Sequence, residues 1–371
     1  MIAAEYYSLV YMLIIMFFAI PVCSRYTGYS MDRIQQCQSE PLNKSLWFTI
    51  LIIIYIGSRP NSPVFADGPG YWYGILDHRW EHYTLEEVSN QFVTKYLMST
   101  LSYYEVDPRI GFFIFAIIYY GFALLAMRKM FPKDTLLAMI MFCGAFCTFG
   151  GAVNGIKNGM ALSLFLCAIA FRDNWRYYIP LLILSIGFHH SMQLSIAAFI
   201  VCKFYKNTQH YSFAWVFGLI MATAHISYFQ TLFAGYTDES GQGYLITDAD
   251  SWVTGFRPDF ILYSVAPLAV AWWISKKKRM QIDANYTFSL NEIDANYTFS
   301  LNVYLVMNTI WMLCMYSAYT NRISALSWSI FPILLLYPFL NMQITSNQYK
   351  YVTYAVWGQL GFTTFMTLIT L

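Results

Sequence analysis

Ten consecutive residues, 150–159, contain four glycines, two asparagines and one lysine. Glycine lets a backbone approach a ligand closely, and the start of a helix presents N–H groups that attract anions. Lys157 would add a positive charge at such a helix start. The segment therefore predicts a site for an anion such as phosphate. The alternative is a glycine-rich helix connection that carries a solvated lysine.

Two adjacent histidines, His189 and His190, interrupt the long apolar run from Tyr177 to Lys203. A histidine at membrane depth is costly unless it has a partner, and imidazole titrates near neutral pH. The pair therefore suggests proton transfer, with His189 preferred as the base and His190 as a substrate ligand. The alternative is a structural pair that is hydrogen-bonded across helices.

Asp67 lies among glycine and proline residues just after an apolar run. Its carboxylate could act as a general base or accept a hydrogen bond from a sugar hydroxyl. Aspartate is also common in turns for purely structural reasons. Arg59 and Tyr71 are close enough in sequence to share this site, and we expect them to position a sugar.

Two arginines lie beside expected ends of spans. Arg257 precedes Pro258 and Asp259, and Arg322 follows Asn321 in a short connection between two spans. A pair of guanidinium groups can hold a pyrophosphate with forked hydrogen bonds. Snorkelling, or an ion pair with a neighbour such as Asp259, is the alternative.

The composition determines which elements must position these residues. The 371-residue chain is 58% hydrophobic and 11% charged, whereas charged residues make up about 25% of soluble domains. We therefore predict an all-α, polytopic membrane protein with about 11 to 12 spans of roughly 20 residues each. The predicted spans are 5–22, 44–58, 110–127, 135–153, 157–171, 177–189, 190–203, 211–234, 260–274, 302–319, 323–341 and 351–371.

Charge sets the orientation of these spans. Fifteen of the 22 Lys and Arg residues fall in short loops on one face, which should be cytoplasmic. This holds only if residues 177–203 form two half-crossings that meet at the histidines, so we predict a re-entrant or bent hairpin. The other seven basic residues lie outside, where topology does not require them: Arg59, Arg79, Lys95, Arg109, Lys157, Arg257 and Arg322.

We predict a single integral membrane domain, 1–371, with outer loops at 59–109 and 235–259 and a cytoplasmic loop at 275–301. Part of the outer loop, near residues 85–104, is amphipathic and should form an interfacial helix. The cytoplasmic loop contains a perfect repeat with an 11-residue period, residues 282–291 and 293–302.

Cofactor signals are weak. Asp77, His78, Glu81 and His82 are ligand types at suitable spacing, but the run is loop-like, so we predict no cofactor and leave a divalent metal open. The sequence has no P-loop, no Rossmann glycine fingerprint and no nucleophile elbow. Nothing in it indicates nucleic-acid binding.

The order of these motifs resembles the EpsG family, whose members are bacterial multi-spanning proteins related to Wzy-type O-antigen and capsule polymerases. The resemblance covers residues 45–340, and lysine stands at 157 where the family leads us to expect arginine. The motifs are Arg59…Asp67…Tyr71, Asn154-Gly-Ile-Lys157-Asn-Gly-Met-Ala161, Phe188-His189-His190-Ser191 and Thr320-Asn321-Arg322-Ile323.

The resemblance implies a GT-C-like fold and a polysaccharide polymerase at the outer face of the bacterial inner membrane. Such a glycosyltransferase would move a growing glycan from undecaprenyl pyrophosphate onto a lipid-linked repeat unit. The expected partners are this lipid-linked oligosaccharide, as donor and acceptor, the bilayer, a flippase and a chain-length regulator. Lys157, Arg257 and Arg322 would bind pyrophosphate, and Asp67 or His189 would be the base.

Other functions fit parts of the pattern. A lipid-linked oligosaccharide flippase would also carry cations at membrane level, although transporters usually show internal repeats of the fold. An O-antigen ligase would differ from the polymerase only in moving the glycan to a different acceptor. A membrane acyltransferase would need its histidine to be reached from the cytoplasm, which is opposite to the predicted topology.

Overall fold

The computed structural model describes residues 2–28, 39–77, 91–226, 228–234, 255–281, 294–317, 320–345 and 347–369. These residues form helices and connections, with no strand among them, which confirms the predicted all-α class. The described chain divides into two compact units, Met1–Ile196 with Phe339–Leu371, and Ala197–Pro338. The single membrane domain and the GT-C likeness stay predictions.

The first unit contains ten complete helices among its described residues. After a 3-10 turn at Ala4–Tyr6 they are α1 (Tyr7–Tyr26), α2 (Leu42–Gly57), α3 (Gly68–Leu76), α4 (Phe92–Tyr103), α5 (Pro108–Met130), α6 (Thr135–Cys143), α7 (Phe146–Val153), α8 (Ile156–Ala170), α9 (Trp175–Phe188) and α17 (Gln348–Ile369). A second 3-10 turn at Pro63–Phe65 precedes α3. Helix α10 (Met192–Phe204) begins in this unit and continues into the second.

Helix α8 forms the core of the first unit. It packs against α5, α7 and α9, while α5 also packs against α2, and α1 lies along α17. From Asn158 to Ala170 every residue of α8 is buried. A helix that is apolar on all sides is expected at such a position.

Within the described residues, four helical stretches are long and apolar enough to cross a membrane: Ala4–Tyr26, Pro108–Met130, Pro258–Lys277 and Thr320–Asn341. Large apolar side chains such as Phe17, Ile54 and Ile117 are exposed on helices of the first unit. Water would penalise this surface and lipid would not. The chain is a multi-pass membrane protein.

The predicted span at 135–153 consists of two helices, which together are apolar enough to form one broken span. The chain bends by 71° between α6 and α7, at Gly144 and Ala145. A Cβ on residue 144 would lie 2.2 Å from Leu360 Cδ2, so this α17 side chain packs directly against the glycine and would have to move to admit a larger residue.

The bend exposes carbonyls that would otherwise be bonded within a helix, and side chains of other helices satisfy them. The acceptors are the carbonyl oxygens of Met141, Phe142, Cys143 and Gly144, and their respective donors are Gln359 (2.6 Å), Thr148 (2.6 Å), Tyr11 (3.0 Å) and Thr363 (2.9 Å). Irregular backbone at membrane depth requires such partners.

The interruption at the histidines is confirmed. Helix α9 ends at Phe188 and α10 begins at Met192. His189 has an extended backbone, with φ −149° and ψ 128°, and the freed carbonyl of Phe188 accepts a hydrogen bond from Thr94 Oγ1 at 2.8 Å. The reversal of direction and the position at the outer face stay predictions.

The second unit is built around a buried amide. Its helices are α11 (Thr208–Thr223), α12 (Tyr228–Ala234), α13 (Pro258–Gln281), α14 (Ala295–Leu313), α15 (Thr320–Trp328) and most of α16 (Phe331–Asn341). Asn308 accepts from Trp215 Nε1 at 2.8 Å and donates to the hydroxyls of Ser264 and Ser327. One side chain therefore joins α11, α13, α14 and α15.

Helices occupy both ends of segment 275–301, which was predicted to be a cytoplasmic loop. Helix α13 continues to Gln281, and the second repeat copy forms the start of α14. Asp294 caps this helix by accepting from the backbone N–H groups of Asn296 and Tyr297, and the Tyr297 side chain is fully buried. The first copy, 282–291, lies outside the described residues.

Candidate active site

A group of polar side chains surrounds the interruption between α9 and α10. Three of them lie in the interruption itself, two lie in the first turn of α8, and one precedes α4. We call this group the histidine cluster: Gln91, Lys157, Asn158, His189, His190 and Ser191.

Close packing of α4 and α9 positions the cluster. Gly187 lies against the first residues of α4, where an added Cβ would be 2.5 Å from Val93 Cγ2. Gln91, at the N-cap of α4, has φ 67° and ψ 37°. This left-handed conformation is uncommon for a residue other than glycine. It places the Gln91 side chain beside His190.

Gln91 connects the lysine with one histidine. Lys157 Nζ donates to Gln91 Oε1 at 2.9 Å. The other end of the same amide, Nε2, lies 2.7 Å from His190 Nδ1. The structure therefore brings together two predicted site residues that are separated by 33 positions in sequence.

The other histidine is held within its own turn. His189 Nδ1 lies 2.7 Å from Ser191 Oγ and 3.2 Å from the Ser191 backbone nitrogen. The Ser191 hydroxyl is also 3.4 Å from Asn158 Oδ1 on α8. The two imidazole rings stack, with centroids 4.7 Å apart and an interplanar angle of 21°.

Arg59 is a buried cation that follows α2. Only 4% of it is exposed, and its guanidinium lies 4.0 Å from the centroid of the Phe112 ring. Its Nη1 donates to the carbonyl of Ile56, whereas its buried Nη2 has no hydrogen-bond partner among the described residues. Burial lowers the pKa of Arg59 to about 10.

Asp67 occupies the N-cap position of α3, as its turn prediction implies, and is half-buried. The residue before it, Ala66, has φ 40°, a strained value for alanine. Tyr71 is buried edge-on against Phe115, with ring centroids 5.9 Å apart.

The Asp67 turn packs against the glycine-rich segment. A Cβ on Gly68 would lie 3.7 Å from the carbonyl oxygen of Val153, at the end of α7. The next residue, Asn154, has a buried Oδ1 with no partner in the described part of the chain. Asp67 therefore adjoins the connection that leads into α8 and Lys157.

Two glycines of that segment serve packing between helices. A Cβ on Gly159 would lie 2.2 Å from the carbonyl oxygen of Gly151, so α7 and α8 touch through their backbones here. We expected these glycines to let the backbone approach a ligand. For Gly151 and Gly159, the structure shows that glycine instead allows two helices to pack closely. The predicted position of Lys157 at a helix start is confirmed.

The remaining predicted residues lie in the second unit. Arg257 forms a bidentate ion pair with Asp259, at 3.0 and 2.6 Å, and covers the Phe260 ring. Arg322 is half-buried in the first turn of α15, and Asn321 beside it is exposed. The expectation that Arg322 lies in a connection was wrong. Of the weak metal motif, His78, Glu81 and His82 lie outside the described residues.

A family model for the EpsG family matches residues 44–370, which is most of the chain. The chain belongs to the EpsG family. This confirms the resemblance carried by the motifs, and every predicted site residue falls within the match. No curated protein and no solved structure shows a significant match to the chain.

Membership of the EpsG family is consistent with a polymerase-type role in polysaccharide biosynthesis. For this EpsG-family chain, sequence reasoning missed Gln91, which contacts both Lys157 and His190. The one feature of the sequence that could have indicated Gln91 is its position directly before an amphipathic helix. Asn158 and Ser191 stood inside the quoted motifs without an assigned role.

Proposed function

We propose that this EpsG-family protein is a polysaccharide polymerase at the outer face of the bacterial inner membrane. As a glycosyltransferase, it would move a growing glycan from undecaprenyl pyrophosphate onto a lipid-linked repeat unit. The observation that carries the proposal is the contact of Lys157, through Gln91, with the stacked histidines at a helix interruption.

The leaving group of this reaction needs cations and N–H donors. As the bond from the anomeric carbon to pyrophosphate breaks, its electron pair remains on the phosphate oxygen. Preorganised donors in a site that excludes water stabilise such developing charge strongly. Lys157 and His190 are suited to this role because Gln91 holds both side chains in place.

The acceptor hydroxyl needs a base. Its proton would pass to Asp67 or His189 as its oxygen forms the new bond to the anomeric carbon. The strained Ala66 next to Asp67 fits a functional turn, since backbone strain concentrates at such sites. Tyr71 and Arg59 would position the sugar, and Arg59 Nη2 is a buried donor suited to a substrate oxygen.

In the second unit, Arg257 and Arg322 are proposed as pyrophosphate ligands and Asn321 as a further substrate ligand. Both hydrogen-bonded nitrogens of the Arg257 guanidinium are paired with the Asp259 carboxylate, so Arg257 would have to release this carboxylate in order to bind a phosphate. Guanidinium binds both groups with the same bidentate geometry. A flippase or an O-antigen ligase remains the second candidate, because either would also bind a lipid-linked pyrophosphate.

The proposal is tested by glycan length in cells that lack the gene. The cells are complemented with wild type, Lys157→Ala, Asp67→Ala or Arg322→Ala, and expression of each variant is confirmed. Arg109→Ala is the matched control, since Arg109 is an exposed cation of the same predicted face. We expect single repeat units from the three site variants and full-length glycan from the control.

Three other results would contradict the proposal. Full-length glycan from all three site variants would show that the proposed site is not required. Accumulation of lipid-linked units on the cytoplasmic leaflet would indicate a flippase. Full-length lipid-linked glycan that fails to reach its final acceptor would indicate a ligase.

A further inference from the structure

The proton of His189 can be placed from its contacts. The Ser191 backbone N–H lies against His189 Nδ1 at 3.2 Å, and a backbone N–H can only donate. Nδ1 must therefore accept, so the neutral ring carries its proton on Nε2. The Ser191 hydroxyl, 2.7 Å from the same nitrogen, can donate to it as well.

The proton of His190 is placed through Gln91. An ammonium can only donate, so the Gln91 atom that faces Lys157 Nζ at 2.9 Å is the carbonyl oxygen. The amide nitrogen then faces His190 Nδ1 at 2.7 Å, and it too can only donate. His190 Nδ1 accepts, and the neutral ring again carries its proton on Nε2.

This arrangement is opposite to that of a histidine base. In a Ser-His-Asp triad a carboxylate holds the proton on Nδ1, which leaves the Nε2 lone pair to take a proton from the nucleophile. Here the lone pair of Nδ1 is used by protein donors in both rings. An Nε2 that already bears a proton can donate to a phosphate oxygen but cannot accept from a hydroxyl.

We propose that His189 and His190 are Nε2–H donors to the lipid-linked pyrophosphate, and that Gln91 is a positioning residue that sets the His190 tautomer. This rests on the proposed polymerase function and assigns the base to Asp67. The acceptor hydroxyl gives its proton to Asp67, and its oxygen bonds to the anomeric carbon. The pyrophosphate leaves with the bonding electrons, next to Lys157 and two N–H donors.

The activity test compares two substitutions at one position. Glutamine can place an N–H near the Nε2 position of histidine but cannot take up a proton, and leucine can do neither. We expect polymer from His189→Gln to stay within about tenfold of wild type, while His189→Leu falls by about 10² or more, as for the loss of one oxyanion donor. Equal loss in both variants would overturn the donor role.

A matched control separates local effects from general ones. His210 lies in the second unit, at the start of α11, and its Nδ1 contacts Tyr205. His210→Gln and His210→Leu should both make wild-type amounts of polymer. If wild type itself makes no polymer, the proposed function fails together with the role of the histidines in it.

The tautomers are measured independently of activity. In full-length protein labelled with ¹⁵N-histidine, NMR should show the Nε2–H form for His189 and His190, assigned by single substitution. Gln91→Glu offers only acceptors, so His190 should acquire a proton on Nδ1 while His189 keeps its form. An Nδ1–H form at either ring in wild type, or no change at His190 in Gln91→Glu, would overturn the assignment.

Discussion

Gly159 on α8 faces Gly151 on α7 so closely that a Cβ on residue 159 would lie 2.2 Å from the Gly151 carbonyl oxygen. Backbone on both sides leaves little room to adjust. We therefore expect Gly159→Ala to force α7 and α8 apart and to displace Lys157, two residues away. The variant should show a lower midpoint of thermal unfolding in detergent and should lose polymer in complemented cells.

Gly150 supplies the matched control for this prediction. It lies one residue from Gly151, yet a Cβ there meets nothing within 4 Å. Gly150→Ala should retain the wild-type melting midpoint and polymer. If Gly159→Ala behaved in the same way, the close crossing of the two helices would not exist.

Arg59 should illustrate a conflict between stability and activity. Burial lowers its pKa to about 10, well below the usual value for arginine, which corresponds to about 3 kcal/mol of unfavourable burial of charge. Both the folded and unfolded states are charged at pH 7, so this cost is fully present there. The cost is relieved only as the pH rises above about 10, because the folded state then releases its proton before the unfolded state does.

Arg59→Met should therefore keep contact with Phe112, raise the melting midpoint near neutral pH and abolish polymerisation. Thermal unfolding at pH 7 and glycan gels measure the two effects. A variant that is less stable than wild type would show that the guanidinium contacts outweigh the cost of burial. A variant with normal polymer would remove Arg59 from the proposed site.

The bend between α6 and α7 should depend on Gln359. This buried side chain donates to the Met141 carbonyl at 2.6 Å. Gln359→Leu leaves that carbonyl without its donor, which should cost about 1–3 kcal/mol. Thr353→Val, on the same helix and with only a 3.5 Å contact, should change the melting midpoint much less.

One copy of the 11-residue repeat should be dispensable. The second copy forms the cap and first turns of α14, and a perfect repeat indicates a recent duplication of a chain that already folded. Deleting residues 282–292 should therefore preserve expression, melting midpoint and polymer. Deleting residues 303–313, an equal length inside α14, should prevent folding, and similar behaviour of the two deletions would contradict this account.

The positions of the helices could be predicted from runs of apolar residues, because each helix is formed by residues that are contiguous in the sequence. The interruption at His189 and His190 was predictable, since polar residues stand inside an apolar run and leave a local signal. The bend at Gly144 was not predictable, because its donors Tyr11 and Gln359 lie more than 100 residues away in sequence. The ion pair of Arg257 with Asp259 was predicted as an alternative, because the two residues are close in sequence.

Gln91 shows the same limit for the site. Its side chain matters because α4 and α9 meet, and nothing near residue 91 in the sequence reports that contact. The charged and titratable residues of the site could be predicted from their types. The neutral amide that connects them could not, because amides are common on helix surfaces.

The bend between α6 and α7 also bears on how the protein is made. Three of its four freed carbonyls receive their donors from α1 and α17, the first and last described helices of the chain. A ribosome delivers α1 before the bend and α17 only after nearly all other helices have entered the membrane. The carbonyls of Met141 and Gly144 therefore have no native donor until α17 has been made, so the bend acquires its full set of hydrogen bonds only after that helix is present.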